Sequence, residues 1–394
     1  MMAGNGFAKN KDTSRRIRLG MVGGGEGSFI GAAHRIAARL DDEFELVAGA
    51  LSSTPAKAHA SATALRIAPE RSYADYGEMA RAEATREDGI DAVVIVTPNH
   101  LHVPVALAFA EQGIHIICDK PIATSLADAQ KLAQVVRERN LHFLLTHTYS
   151  GYPMVRQARE MIAAGELGDI RIVQVEYAQD WLGQPIEQQG NKQAAWRNDP
   201  AQAGPAGALG DIGTHAYHLA RYVSGLKVQE LSAELSTFVA GRALDDHVQV
   251  MLHYEGGARG MLWASQVASG AVNALRLRVY GTQASLHFDQ ERPEELRFAR
   301  QGEPAQCLRR GLAPASSAIA GMSRIPAGHP EGYLEAFAQL YRDFAQAWRK
   351  GTDGANGVEG HMPGLDDGID GMAFVEAAIR SHRDGAKWTK LQAI

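Results

Sequence analysis

Ile17 to Val22 form a short apolar run that leads straight into Gly23-Gly24-Gly25-Glu26-Gly27-Ser28. A helical period then holds from about Phe29 to Leu40. Strand, glycine turn and helix in this order define the βα unit that opens a dinucleotide-binding sheet. The glycines let backbone approach a pyrophosphate, and the helix N-terminus favours its charge. Gly23, Gly25, Glu26, Gly27, Ser28 and Phe29 are therefore the expected cofactor cradle. The spacing departs from the usual fingerprint. Gly23-x-Gly25 is present, Ser28 stands where a third glycine is expected, and Gly31 follows three residues late. This predicts an enlarged loop.

Phe44 to Leu51 reads as a second strand, ending at Ser52-Ser53. Sites for NAD usually place an acid here to hold the adenosine ribose. Serines in its place remove the repulsion against a 2′-phosphate, so tolerance of both NAD and NADP is expected, with Ser52 and Ser53 at the ribose. An ordinary strand-to-helix cap is the competing reading of these serines.

Asp91 to Val96 is an uninterrupted apolar strand, and Thr97-Pro98-Asn99-His100-Leu101-His102 follows it. Proline does not continue a central strand, so the run stops at Pro98. Thr97, Pro98, Asn99 and His102 are expected at the cofactor, although either histidine can instead cap the helix that runs to about Gln112. Gly113 to Ile117 is the next strand, and Cys118-Asp119-Lys120-Pro121 ends it. Ser125 with Asp128 caps a helix to Arg139, and Leu141 to Thr146 is a further strand. Asp119 and Lys120 thus sit at the carboxyl edge of an α/β sheet, where such sheets bind ligands. Strands alternating with helices predict a doubly wound parallel sheet, a Rossmann domain over 16–148 behind a flexible tail, 1–15.

Beyond Tyr149 the rhythm changes. A helix from Pro153 to Ala164 ends at Gly165, and strand-like runs then dominate: 170–181, 228–239, 247–254, 258–267, 275–280 and 284–288. Glu255-Gly256-Gly257 reads as a hairpin turn. Successive strands imply a largely antiparallel open sheet. Late helices are expected at 333–349 and 367–383, with a loop from 351 to 360 between them. The second domain, 149–394, is thus α+β and suited to binding substrate and to oligomerisation.

Gly204 to Gly210 is a loop of small residues leading into Asp211-Ile212-Gly213-Thr214-His215. Residues four apart share a helix face, so Asp211 and His215 are expected to touch. A carboxylate stabilises protonated imidazole and a helix N-terminus opposes it, which together predict a His215 near neutrality. The competing reading is a common helix ion pair. His218 raises the question of a metal, but without an HExxH motif or a cysteine pair no metal is expected.

A chain of 394 residues is long enough for two domains. Its net charge of -5 gives no case for nucleic-acid binding. With two cysteines, Cys118 and Cys307, and no membrane-length apolar run, a cytoplasmic protein is expected.

Taken together, the glycine turn, Thr97-Pro98-Asn99-His100, Asp119-Lys120-Pro121, Trp196-Arg197 and the glycine-rich run into Asp211-x-x-x-His215 resemble the Gfo/Idh/MocA oxidoreductases. The resemblance covers essentially the whole chain after the tail. It implies an NAD- or NADP-dependent enzyme transferring hydride to or from a secondary alcohol of a sugar or cyclitol. It also implies a homodimer or homotetramer. Lys120 would be the active-site lysine, Asp211 its acidic partner and His215 the proton-transferring group. All three would face substrate, beside Trp181, Trp196 and Arg197. The chain departs from the family pattern at the enlarged glycine loop, at Asp119 in place of glutamate, and at Ser52 in place of an acid. Three other functions are compatible with parts of the pattern: an NAD-dependent glycosidase using transient oxidation, a dinucleotide-sensing protein without chemistry, and a metal hydrolase.

Overall fold

The structure is a computed structural model that describes residues 14–312, 317–351 and 360–392. Most of the tail expected over 1–15, and of the loop expected over 351–360, lies outside the described residues. Arg15, at the end of that tail, is held in place, its guanidinium donating to both oxygens of Asp91 at 2.7 and 2.9 Å.

The first half builds β1 (Ile17–Gly23), α1 (Phe29–Leu40), β2 (Phe44–Ala50), α2 (Pro55–Ala64), α3 (Tyr76–Thr85), β3 (Ala92–Val96), α4 (His102–Ala110), β4 (His115–Cys118), α5 (Leu126–Glu138) and β5 (Phe143–Leu145). The five strands are parallel, in the order β2-β1-β3-β4-β5. Every residue of β3 is buried, as a central strand covered on both faces requires. Ser125 caps α5 as read, its Oγ accepting from Asp128 N at 3.2 Å. Gly31 explains the long glycine loop. A Cβ there would lie 2.5 Å from Gly24 Cα, so α1 packs on the turn only because residue 31 has no side chain. Gly31 thus provides the close helix packing that the third glycine of the shorter fingerprint supplies.

The second half contains α6 (Pro153–Ala163), β6 (Ile170–Ala178), α7 (Lys192–Arg197), α8 (Pro200–Ala203), α9 (Thr214–Ser224), β7 (Val228–Ser236), β8 (His247–Tyr254), β9 (Arg259–Ser265), β10 (Ala274–Gly281), β11 (Ala284–Asp289), β12 (Glu295–Arg300), β13 (Gln306–Arg309), α10 (Ser317–Ala320), α11 (Tyr333–Lys350), α12 (Leu365–Arg383) and β14 (Thr389–Lys390). Its sheet has nine strands, in the order β13-β12-β11-β10-β6-β9-β8-β7-β14. All neighbours are antiparallel except β6 and β9. β12, β13 and β14 extend this sheet beyond the six runs legible in the sequence. The hairpin at Glu255-Gly256-Gly257 joins β8 to β9 as read, with φ of 80° and 94° at the two glycines.

Along β8 burial alternates strictly, with Val248, Val250, Leu252 and Tyr254 facing inward. One face of the sheet packs against helices that include α9 and α12. The other carries Ile172, Met251 and Met261, each about half exposed. The late helix α11 does not cover it. Its apolar stripe, including Phe337, Leu340, Phe344 and Trp348, is buried against Ile17, Leu19, Val94 and Leu144 of the parallel sheet. The chain therefore returns to its first half after building the second. His34 of α1 and Tyr341 of α11 seal this return with a 2.7 Å hydrogen bond inside the core. Among the described residues, no helix is long and apolar enough to cross a membrane.

Candidate active site

A cleft of about 680 Å³ runs along the carboxyl edge of the parallel sheet and meets the second sheet's loops. Gly23, Ser28, Ser52 and Thr97 stand along it, and Lys120 and Asp211 close one end. From β2 to β4 is three strand spacings, about 14 Å. The cleft therefore spans the distance an extended dinucleotide needs.

Lys120 lies two residues beyond the end of β4, and its peptide bond to Pro121 is cis. Asp119 organises this turn. Its Oδ1 accepts from Lys120 N at 2.9 Å and from Thr146 Oγ1 at 3.0 Å. Lys120 Nζ then reaches across the cleft to donate to Asp211 Oδ1 and to Asp211 O, both at 2.7 Å, spanning 91 residues of sequence. Asp211 Oδ2 accepts from Arg197 Nε at 3.1 Å and from Gln266 Nε2 at 2.8 Å. Burial alone would push this carboxyl up, but the Lys120 and Arg197 cations hold it well below the usual carboxylate range. It is therefore ionised throughout the physiological range.

Asp211 is aimed by its own loop. Asp245 accepts from Gly207 N at 2.7 Å and from Leu209 N at 2.8 Å through its carboxylate, and from Ala208 N at 2.8 Å through its carbonyl. A Cβ at position 207 would meet Asp245 O at 2.1 Å, so only glycine permits this approach. The chain then makes a π-turn over Leu209–Gly213, with Thr214 N bonded to Leu209 O, before α9 begins.

The expected contact between Asp211 and His215 is not made: no hydrogen bond or ion pair joins them among the described residues. The carboxylate is taken by Lys120, Arg197 and Gln266, and His215 Nδ1 has no hydrogen-bond partner among the described residues. The expected near-neutral titration is corrected with it. Burial first and the Lys120 cation second hold His215 well below its ordinary value, against a weaker pull from Asp211. The imidazole is neutral at physiological pH, the form that accepts a proton. Aromatic rings fix its plane, with Tyr149 edge-on at 4.9 Å and His147 edge-on at 5.4 Å.

Other expected site residues divide. Trp196 and Arg197 line the cleft, and the guanidinium lies 4.3 Å from the Trp196 ring and 5.7 Å from that of Trp181. Pro98 and Asn99 also line it. His102 is not part of the cleft wall. It is buried, with Nδ1 2.6 Å from Pro121 O and Nε2 2.9 Å from Thr97 O, so it ties the two cleft loops together. Phe29 is 77% exposed and, like Gly25, Glu26 and Gly27, lies outside the cleft walls. The loop leans instead on α2, where Glu26 N donates to Ser61 Oγ. Ser28 Oγ caps α1 by accepting from Gly31 N at 3.1 Å. His147, Tyr149, Gln266 and Asp245 were not anticipated. A signal existed for the first two, because they follow β5 at the same carboxyl edge as Lys120. Gln266 and Asp245 carry no local signal. Among the described residues, no group of three or more His, Cys, Asp or Glu side chains is arranged to hold a metal.

Residues 17–147 match the oxidoreductase family with an NAD-binding Rossmann fold, and residues 155–287 match the GFO/IDH/MocA C-terminal domain. An uncharacterized oxidoreductase of Bacillus subtilis, YfiI, is 35% identical, the alignment covering 96% of this chain and 98% of that protein. The levoglucosan dehydrogenase of Pseudarthrobacter phenanthrenivorans is 30% identical over 93% of this chain and 97% of its own. Among solved structures, an inositol dehydrogenase homolog from Azotobacter vinelandii complexed with NADH and myo-inositol is 36% identical. It superposes with a TM-score of 0.89 over 96% of this chain and 98% of that one. The chain is thus an NAD-binding oxidoreductase that belongs to the GFO/IDH/MocA family.

Proposed function

We propose that this enzyme oxidises a secondary alcohol of a sugar or cyclitol, with NAD as acceptor. The observation that carries the reading is the Lys120–Asp211 pair, joined at 2.7 Å at the end of the cleft with neutral His215 nearby. The similar levoglucosan dehydrogenase and the homolog holding myo-inositol support the substrate class. The glycosidase reading finds no support in these relatives.

In the oxidative direction His215 takes the hydroxyl proton as general base, with Nε2 the accepting atom because Nδ1 is enclosed. Lys120 donates a hydrogen bond to the reacting oxygen and stabilises the charge that develops there. Asp211 holds the ammonium in place. Bound nicotinamide supplies the hydride acceptor. Trp196 and Trp181 offer apolar surface to a sugar face, while Arg197 offers donors to hydroxyls. A panel of polyols and cyclitols followed by NADH absorbance tests this. Absorbance should rise with at least one of them, and a flat trace across the panel, or sugar release without NADH, counts against the proposal.

The same reading divides the chain into a dinucleotide-binding domain, 16–148, and a substrate-binding and oligomerisation domain, 149–394, with α11 returning to the first. The half-exposed Ile172, Met251 and Met261 on the uncovered face of the nine-stranded sheet support assembly there into a homodimer or homotetramer. Sedimentation at micromolar concentration is expected to give a mass above that of one chain, and a monomer would rule the assembly out.

A further inference from the structure

The end of β2 offers Ser52 and Ser53 where NAD sites usually have an acid, and the fold brings a carboxylate to the same place from another segment. After α2 the chain turns back along β2. Ser72 forms an isolated parallel bridge with Gly49, and Tyr73 N donates to Gly49 O at 2.9 Å. Ser52 and Asp75 each lie three residues beyond that bridge, so the two segments reach the cleft in step. Ser52, Ser53, Asp75 and Tyr76 all line the cleft. This is the end remote from Lys120, where the adenosine lies if the nicotinamide is at Lys120. Asp75 is exposed and N-caps α3, its Oδ1 accepting from Glu78 N at 2.7 Å. Its Oδ2 makes no other hydrogen bond or ion pair among the described residues. Lys57, the cation nearest the serines in sequence, is not part of the cleft wall.

We propose that Asp75 sets the preference of this site for NAD over NADP. Its free carboxylate oxygen accepts from the adenosine ribose hydroxyls of NAD and repels the 2′-phosphate of NADP. The tolerance of NADP expected from Ser52 and Ser53 is thereby replaced by discrimination against it. The proposal rests on the nicotinamide dinucleotide lying in this cleft with its adenosine end at β2.

The test is calorimetric titration of the full chain with NAD+ and with NADP+. Asp75→Asn keeps an oxygen for Glu78 N, so the cap of α3 survives while the charge is lost. The ratio of the NADP+ to the NAD+ dissociation constant should fall about tenfold, the scale of one partly screened repulsion. A fall of less than about threefold, or a rise, overturns the role of Asp75. Asp75→Ser, which also caps, carries the same test if Asp75→Asn unfolds. Wild-type protein that binds neither dinucleotide overturns the cleft assignment as well. Wild-type protein that binds both, with a ratio unmoved by the substitutions, overturns only the role of Asp75.

Discussion

His215→Ala is expected to lower kcat by about two to four powers of ten, the contribution of a positioned general base. Affinity for NAD should change far less, because the buried imidazole packs among Tyr149 and His147 and is not part of the cleft wall proposed to hold the dinucleotide. The pH profile carries a second signature. Since burial and Lys120 hold His215 well below its ordinary value, it stays neutral as pH falls through 6.5. The acidic limb of kcat/KM for the free enzyme should therefore lie below pH 6.5, and the alanine variant should lose that limb. Wild-type turnover in the variant would show that another group takes the proton.

Asp211→Ala is expected to damage both turnover and stability. The carboxylate offsets two cations, Lys120 at 2.7 Å and Arg197 at 3.1 Å, in a setting where all three side chains are less than a quarter exposed. Removing one partner of such a pair leaves the other charges uncompensated, at a cost of about 3 kcal/mol. Lys120 also loses the acceptor that aims it, so kcat should fall by about two to three powers of ten, the scale of a lost electrostatic donor. Asp211→Asn separates the two effects. It keeps an acceptor for Lys120 and most of the shape, so the melting temperature should recover more than the turnover does. Stopped assays and thermal melts on the two variants make the comparison. An alanine variant within about threefold of wild-type kcat would mean that Lys120 does not depend on Asp211 for its orientation.

Much of this was written locally in the chain. Helix α1 spans Phe29–Leu40 and β8 spans His247–Tyr254, as their periods predict. Apolar spacing is a property of neighbouring residues, and burial of one face is what selects it. Of the strands missed, β14 has two residues and β13 is a short, mostly exposed edge strand, whereas β12 does alternate, with Leu296 and Phe298 buried, over only six residues. They form because a strand edge is already present for them to join. The apolar stripe of α11 was legible, but the choice of the parallel sheet as its partner was not, since either sheet offers apolar surface.

The site divides in the same way. The sequence alone determined the glycine turn, the placement of Lys120 after a strand, and the presence of Asp211 and His215 at the start of a helix. Each depends on steric and periodic rules acting within a few residues. The family resemblance implied the pairing of Lys120 with Asp211, but only the tertiary structure decided that Arg197 and Gln266 join that carboxylate while His215 does not, and that a backbone bridge brings Asp75 beside Ser52. Electrostatic contacts act through space at a few ångströms, and here they join residues up to 91 positions apart, a separation that no local pattern records.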